Sequence, residues 1–234
     1  MLARLVRFVF QQARWSMIVP LLLVIAGYFW VFNFSSLPLS NPAVIAAGCG
    51  EGLLDIMPYY DASDAYRVLN CYGASGRGIY QRFLLADMSF VLFYGAGFTL
   101  LLARLMAMLA VDRLRMFALL PACIALTDAC ENIALLWLLA AYPDALPGVA
   151  QSAGLFTATK HLLSAVSILM LMICGGMLAW RRIVRAPLMI RHFSARVGMC
   201  RRKYDWLLCQ SALPGILAIR CDKCCGIYSY NRHT

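Results

Sequence analysis

The chain has 234 residues, of which 62% are hydrophobic and only 14% charged, against about 25% charged in a soluble domain. That composition excludes an ordinary water-soluble globular domain. The net charge of +10 excludes an acidic, solvating chain and directs attention to where the basic residues lie.

Apolar runs of roughly 20 residues recur four times, the length at which a helix crosses a bilayer. The expected fold is therefore all-α: a polytopic four-helix transmembrane bundle with one long outer loop and a basic cytoplasmic tail. Residues 1–14 read as an interfacial amphipathic helix. Leu2, Leu5, Val6, Val9 and Phe10 share one face, and Arg4, Arg7 and Arg14 lie away from its centre. The first span is expected over 15–34. It reads as a retained helix rather than a cleaved signal peptide, because the apolar run is long and no small-x-small site follows closely. Pro20 falls in its first turns, where a missing amide donor costs least.

Residues 35–82 form the outer loop. Pro38, Asn41-Pro42 and Gly48-Cys49-Gly50 interrupt its first part. Residues 61–73 then read as a short helix, capped by Asp61 or Ser63 and ended by Gly73. Such an excursion is longer than linking requires, and its apolar content argues against disorder. Ser75 starts the approach to the second span, 83–105, which carries Asp87, Tyr94, Gly95 and Gly97. The third span, 116–140, contains Leu126-Thr127-Asp128-Ala129-Cys130-Glu131-Asn132-Ile133. The fourth, 154–180, begins with Lys160-His161 a little inside it and ends at Arg181-Arg182. Spans and loop make a membrane domain over 15–180, followed by the tail, 181–234. Within the tail, 206–219 is apolar but too short to span comfortably. It reads either as an interfacial segment or as poorly ordered chain.

The basic residues set the orientation. Arg4, Arg7 and Arg14 precede the first span, Arg104, Arg113 and Arg115 separate the second and third, and eleven Lys or Arg follow Trp180. The positive-inside rule then puts both termini in the cytoplasm, in a multi-pass protein of the cell (inner) membrane. The expected partners are the bilayer itself and anionic lipid headgroups at the basic tail. A homo-oligomer or a membrane-protein partner is left open. Nucleic acid is not expected, since Arg beside a span is ordinary and no recognition motif is present.

Cys123, Cys130 and Cys174 read as small apolar fillers within spans. Cys49 and Cys71 fall in the outer loop and are a candidate disulfide in an oxidising compartment. Cys221, Cys224 and Cys225 are half of a zinc site, with only Cys209 and His233 as distant helpers. No metal and no cofactor is expected.

The intramembrane charges carry the functional question. A rise of about 1.5 Å per residue puts Glu131 and Asn132 about 12 to 14 Å below the outer face and Asp128 about 18 Å below it. Asp87, Lys160 and His161 enter from that same face. Asp128, Glu131 and Asn132 share one helical face through their i, i+3, i+4 spacing. Ionised groups facing lipid separately are costly, so the candidate cluster is Asp87, Tyr94, Asp128, Glu131, Asn132, Lys160 and His161. Lys160 with Glu131 or Asp128 is the first expected pair. Asp87 is left for Arg77, Arg82, His161 or a water. Arg77 and Tyr80 are placed at a pocket mouth above it.

The order Gly76-Arg77-x-x-Tyr80, Asp87, Asp128-x-x-Glu131-Asn132, Lys160 resembles a group of small four-span, mostly bacterial integral membrane proteins of uncharacterised function. The resemblance covers about Trp15 to Trp180. It implies that these polar residues act as a set and implies no activity. Three functions then stand side by side. The first is a structural or assembly component with charges paired inside the bundle. The second is a small ligand- or proton-handling protein, a transporter or a subunit of one, with an outward-facing polar pocket. The third is an intramembrane lipid-modifying enzyme using Asp128, Glu131 and His161 for proton transfer. That last reading lacks a nucleophile beside a base, and an enzyme is the least favoured of the three.

Overall fold

A computed structural model describes residues 1–48, 50 and 52–201, with side chains as far as Val184, Asp112 excepted. The expected interfacial segment at 206–219 and the cysteines of the tail lie outside the described residues. The described residues are almost all helical and contain no strand. Among the described residues, four helices are long and apolar enough to cross a membrane. Met1–Ile183 forms one compact unit and Val184–Thr234 a second.

Helix α1, Leu2–Gln12, turns Val6 and Val9 inward while Leu2, Leu5 and Phe8 stay exposed. An exposed apolar face opposite a buried one suits a helix lying in the headgroup boundary. The first span is α2, Trp15–Phe34, with Pro20 inside it. It leans on the next long helix through aromatic contacts: the Tyr28 ring sits 5.5 Å from Phe90 and its hydroxyl is 2.8 Å from Ser89 Oγ.

The segment that follows α2 folds back on the bundle. Ser40 caps α3, Asn41–Ala47, by accepting from the Ala43 amide. A 3-10 turn at Leu54–Ile56 comes next. Leu53, Leu54 and Tyr60 are wholly buried against Leu135, Leu138, Ala150 and Ala153. Burial of such side chains is worth about 1.5–3 kcal/mol each, so the loop is a packed plug rather than a tether. The Tyr72 hydroxyl donates to the Gly52 carbonyl at 2.9 Å and ties it down further. Cys71 is disulfide-bonded, and Cys49 lies outside the described residues.

Helix α4 runs Ala62–Leu109 and bends at Gly73, whose φ of 61° and ψ of −174° only glycine adopts without strain. The short helix read over 61–73 and the helix begun at Ser75 are thus one element, bent where the first was expected to end. Two devices account for it. Asp61 and Asp64 form a reciprocal capping box at the start. At the bend, Arg77 Nη1 donates to the Leu69 carbonyl at 3.0 Å, occupying an acceptor that the broken helix ladder leaves free. A 3-10 stretch, Asp112–Leu119, leads into α5, Leu120–Ala141. A Cβ on Gly95 would stand 2.5 Å from Ala125 Cβ, so the glycine lets α4 and α5 approach closely. Helix α6 spans Pro147–Arg201. At the end opposite the plug, Val9, Ala13, Met106, Leu109 and Ala118 form a second apolar cluster with Cys174. Arg181 Nη1 reaches the Leu109 carbonyl there at 3.5 Å.

Candidate functional site

The polar residues of α4, α5 and α6 meet in the half of the bundle that the plug covers. On α5 the 3.6-residue period puts Asp128, Glu131 and Asn132 on one side, and Glu131 and Asn132 have no exposed surface at all. Lys160 comes from α6. Its Nζ stands 2.7 Å from Asp128 Oδ1 and 2.7 Å from Glu131 Oε2. The Asp128 and Lys160 side chains are only 12% and 11% exposed, so the ammonium bridges two acids in a dry setting. Such charges are tolerated only when well paired and well hydrogen-bonded.

Several of the remaining oxygens are met by hydroxyl and amide donors. Tyr94 of α4 donates its hydroxyl to Asp128 Oδ2 at 2.7 Å. Thr157, one turn before Lys160 on its buried face, donates to Glu131 Oε1 at 2.5 Å. Asn132 Nδ2 donates to Asp87 Oδ2 at 2.7 Å, which joins α4 to α5 by a second route. The Asn132 carbonyl oxygen is buried without a partner in the protein. His161 bonds its own helix, with Nδ1 3.0 Å from the Thr157 carbonyl.

Arg77 and Tyr80 make their bonds to groups other than Asp87. Arg77 serves the α4 bend and lies 3.8 Å over the Tyr142 ring. Tyr80 is buried and donates to Asp55 Oδ1 at 3.4 Å.

That last contact brings in a residue that sequence reasoning passed over. Asp55 sits on the 3-10 turn of the plug, buried, within the electrostatic reach of Lys160 and Asp128. Burial pushes its carboxyl above the ordinary value, and Lys160 opposes the shift only in part. Thr157 is the other residue missed. The signal for Asp55 was present: an acid set between Leu53-Leu54 and Ile56-Met57 is not a solvated loop residue. Thr157 left no signal, since a threonine in a span is ordinary filler until its partner is known.

Four carboxyl groups, Asp55, Asp87, Asp128 and Glu131, thus gather about one ammonium, Lys160. No group of His, Cys, Asp and Glu among the described residues is arranged to hold a metal ion. No family model matches the chain, nor does any curated protein or solved structure. The cluster offers ion pairing, hydrogen bonding and proton exchange between carboxyls.

Proposed function

We propose that this is a multi-pass membrane protein with a structural or assembly role, whose helices are locked together by a buried ion network. The observation that carries the reading is the Lys160 ammonium 2.7 Å from both Asp128 and Glu131, with Tyr94 and Thr157 closing the outer oxygens. A network whose charged members are paired fixes helix register, and removing one member leaves another buried and unpaired. The orientation with both termini cytoplasmic is supported by the gathering of α1, the 3-10 stretch Asp112–Leu119 and Arg181 at one end of the bundle.

A second reading is a proton-handling protein, favoured by the count of four carboxyls to one ammonium. An excess of acid over base in one buried cluster is the feature that such a protein would use.

The experiment is a double-mutant cycle of Glu131→Gln and Lys160→Met, read as thermal stability in detergent across about pH 5 to 9. A structural lock predicts that each single change destabilises and that the double recovers part of the loss. Singles that fold normally but abolish a pH dependence present in the wild type would establish the proton reading instead.

A further inference from the structure

Of the four spans, α6 buries the smallest share of its residues. Thr157, Ser167 and Cys174 are buried, and Lys160 meets the acids of α5. The face away from them is exposed from Leu155 to Ile183. In lipid, exposure by itself identifies no partner. The order of the residues says more. Leu155, Leu162 and Leu169 recur every seven residues, and Thr159, Val166 and Ile173 recur every seven between them. All six are exposed, Leu162 by 68% and Leu169 by 57%. In a heptad written a to g, this is leucine at d with β-branched residues at a, the arrangement that favours a parallel two-stranded seam. Gly176 and Trp180 continue the two rows, and Ile183 closes the fourth heptad. A pattern sustained over three to four heptads is long enough for a stable pair of helices.

We infer that α6 pairs with α6 of a second copy of this chain, parallel and in register, along the rows of Leu162 and Val166. Three observations select a second copy. Two copies share one topology, whichever it is, so their last spans run parallel and set a against a and d against d. A two-fold seam must also tolerate meeting itself. Lys160, His161, Arg181 and Arg182 all fall at b and c, so no like charges meet across the axis. The seam also lets two backbones approach. Ala158, Ala165 and Ala179 hold three of the four g positions beside the leucines, and nothing lies within 4 Å of a Cβ built on Gly176. Small residues at such a face favour helix association where lipid removes the hydrophobic drive. A seam about 40 Å long and about 10 Å wide covers about 800 Å² over the two copies, the size of a reversible contact. Pairing should therefore depend on density in the bilayer. The pairing does not rest on the role of the Lys160 network, which lies on the other side of α6.

The test counts subunits of the full chain, labelled at its N-terminus, by single-molecule photobleaching in phosphatidylglycerol–phosphatidylcholine vesicles of increasing protein density. Dimers are expected to appear as density rises. Leu162→Ala with Leu169→Ala is expected to raise the density at half-dimer about tenfold. Ile168→Ala removes an exposed side chain at c and should leave that density unchanged. Melting in detergent shows whether each variant folds. If the leucine pair does not, Val166→Ala with Ile173→Ala carries the test. A photo-crosslinker at Val166 should join the second copy near its own Val166. Trp206→Gln with Leu208→Gln, in the apolar stretch of the tail, should leave the dimer intact. The inference is overturned by single subunits at every density, by a dimer that survives both seam pairs, or by one that Ile168→Ala weakens equally. A dimer lost with the tail substitutions, or a crosslink only to other helices, would overturn the assignment to α6.

Discussion

Gly154 packs directly against the main chain of Tyr60: a Cβ added at Gly154 would lie 1.9 Å from the Tyr60 carbonyl oxygen. The contact seats α6 on the plug one turn before Thr157 and two before Lys160. Main chain cannot yield as a flexible side chain can. Gly154→Ala is expected to cost about 2–3 kcal/mol through overpacking, seen as a lowered melting temperature in detergent. A variant that melts like the wild type would mean that the plug and α6 are not in contact.

Tyr94→Phe removes the donor to Asp128 Oδ2 and leaves the ring in place. A hydrogen bond to a charged group is worth about 1.5–3 kcal/mol, and the loss should fall in that range. In a Lys160→Met background the same change should cost a different amount, because both residues share Asp128. Additive losses in chemical denaturation would show that the two contacts are independent.

Asn132→Leu strips Asp87 of its hydrogen-bond donor and buries no new polar atom. The orphaned carboxyl should cost about 1–3 kcal/mol. Adding Asp87→Leu should restore part of that, since an apolar pair leaves nothing unsatisfied. A double variant less stable than Asn132→Leu alone would show that Asp87 has another essential partner.

Protonation outside the spans gives two slopes of opposite sign. Burial holds Asp55 above 3.8, so the folded state binds the extra proton and stability falls as pH rises from that value through the raised one. Lys160, Asp128 and Tyr80 face this carboxyl, and the burial effect exceeds the pull of Lys160. Asp61 is held below 3.8 by the Asp64 amide and the Ser63 hydroxyl. Its contribution is present above 3.8 and is lost as pH falls below it. Asp55→Asn should flatten the melting temperature on the rising-pH side, and Asp61→Asn should flatten it on the acid side. A pH series that is identical for Asp55→Asn and the wild type would contradict the placement of Asp55.

The spans were legible because hydrophobic run length is a local property: the first is Trp15–Phe34 in the structure, the bounds that apolar length alone assigns. The shared face of Asp128, Glu131 and Asn132 was equally legible, since helical periodicity fixes it. The partner choices were not. Which acid Lys160 takes depends on helix rotation, and the structure gives it both. The break at Gly73 was legible as a helix end, but the bond of Arg77 to the Leu69 carbonyl was not, because it needs the two helices to continue as one bent element. Asp55 was passed over because fold-back of a loop onto a bundle end is a tertiary event, written in the sequence only as too many leucines beside an acid.

The order of the network along the chain bears on how the protein is made. Asp55, Asp87, Asp128 and Glu131 all precede Lys160, so the ribosome delivers the acids before their counter-ion. A nascent chain ending after α5 holds buried carboxyls with no cation to meet, and lone ionisable groups are expelled from lipid or sheltered. The first three spans are therefore expected to wait beside the insertion machinery until α6 arrives. Chains stalled near Tyr142 should crosslink to that machinery longer than chains stalled after Trp180. In a Lys160→Met chain the release should not come even then.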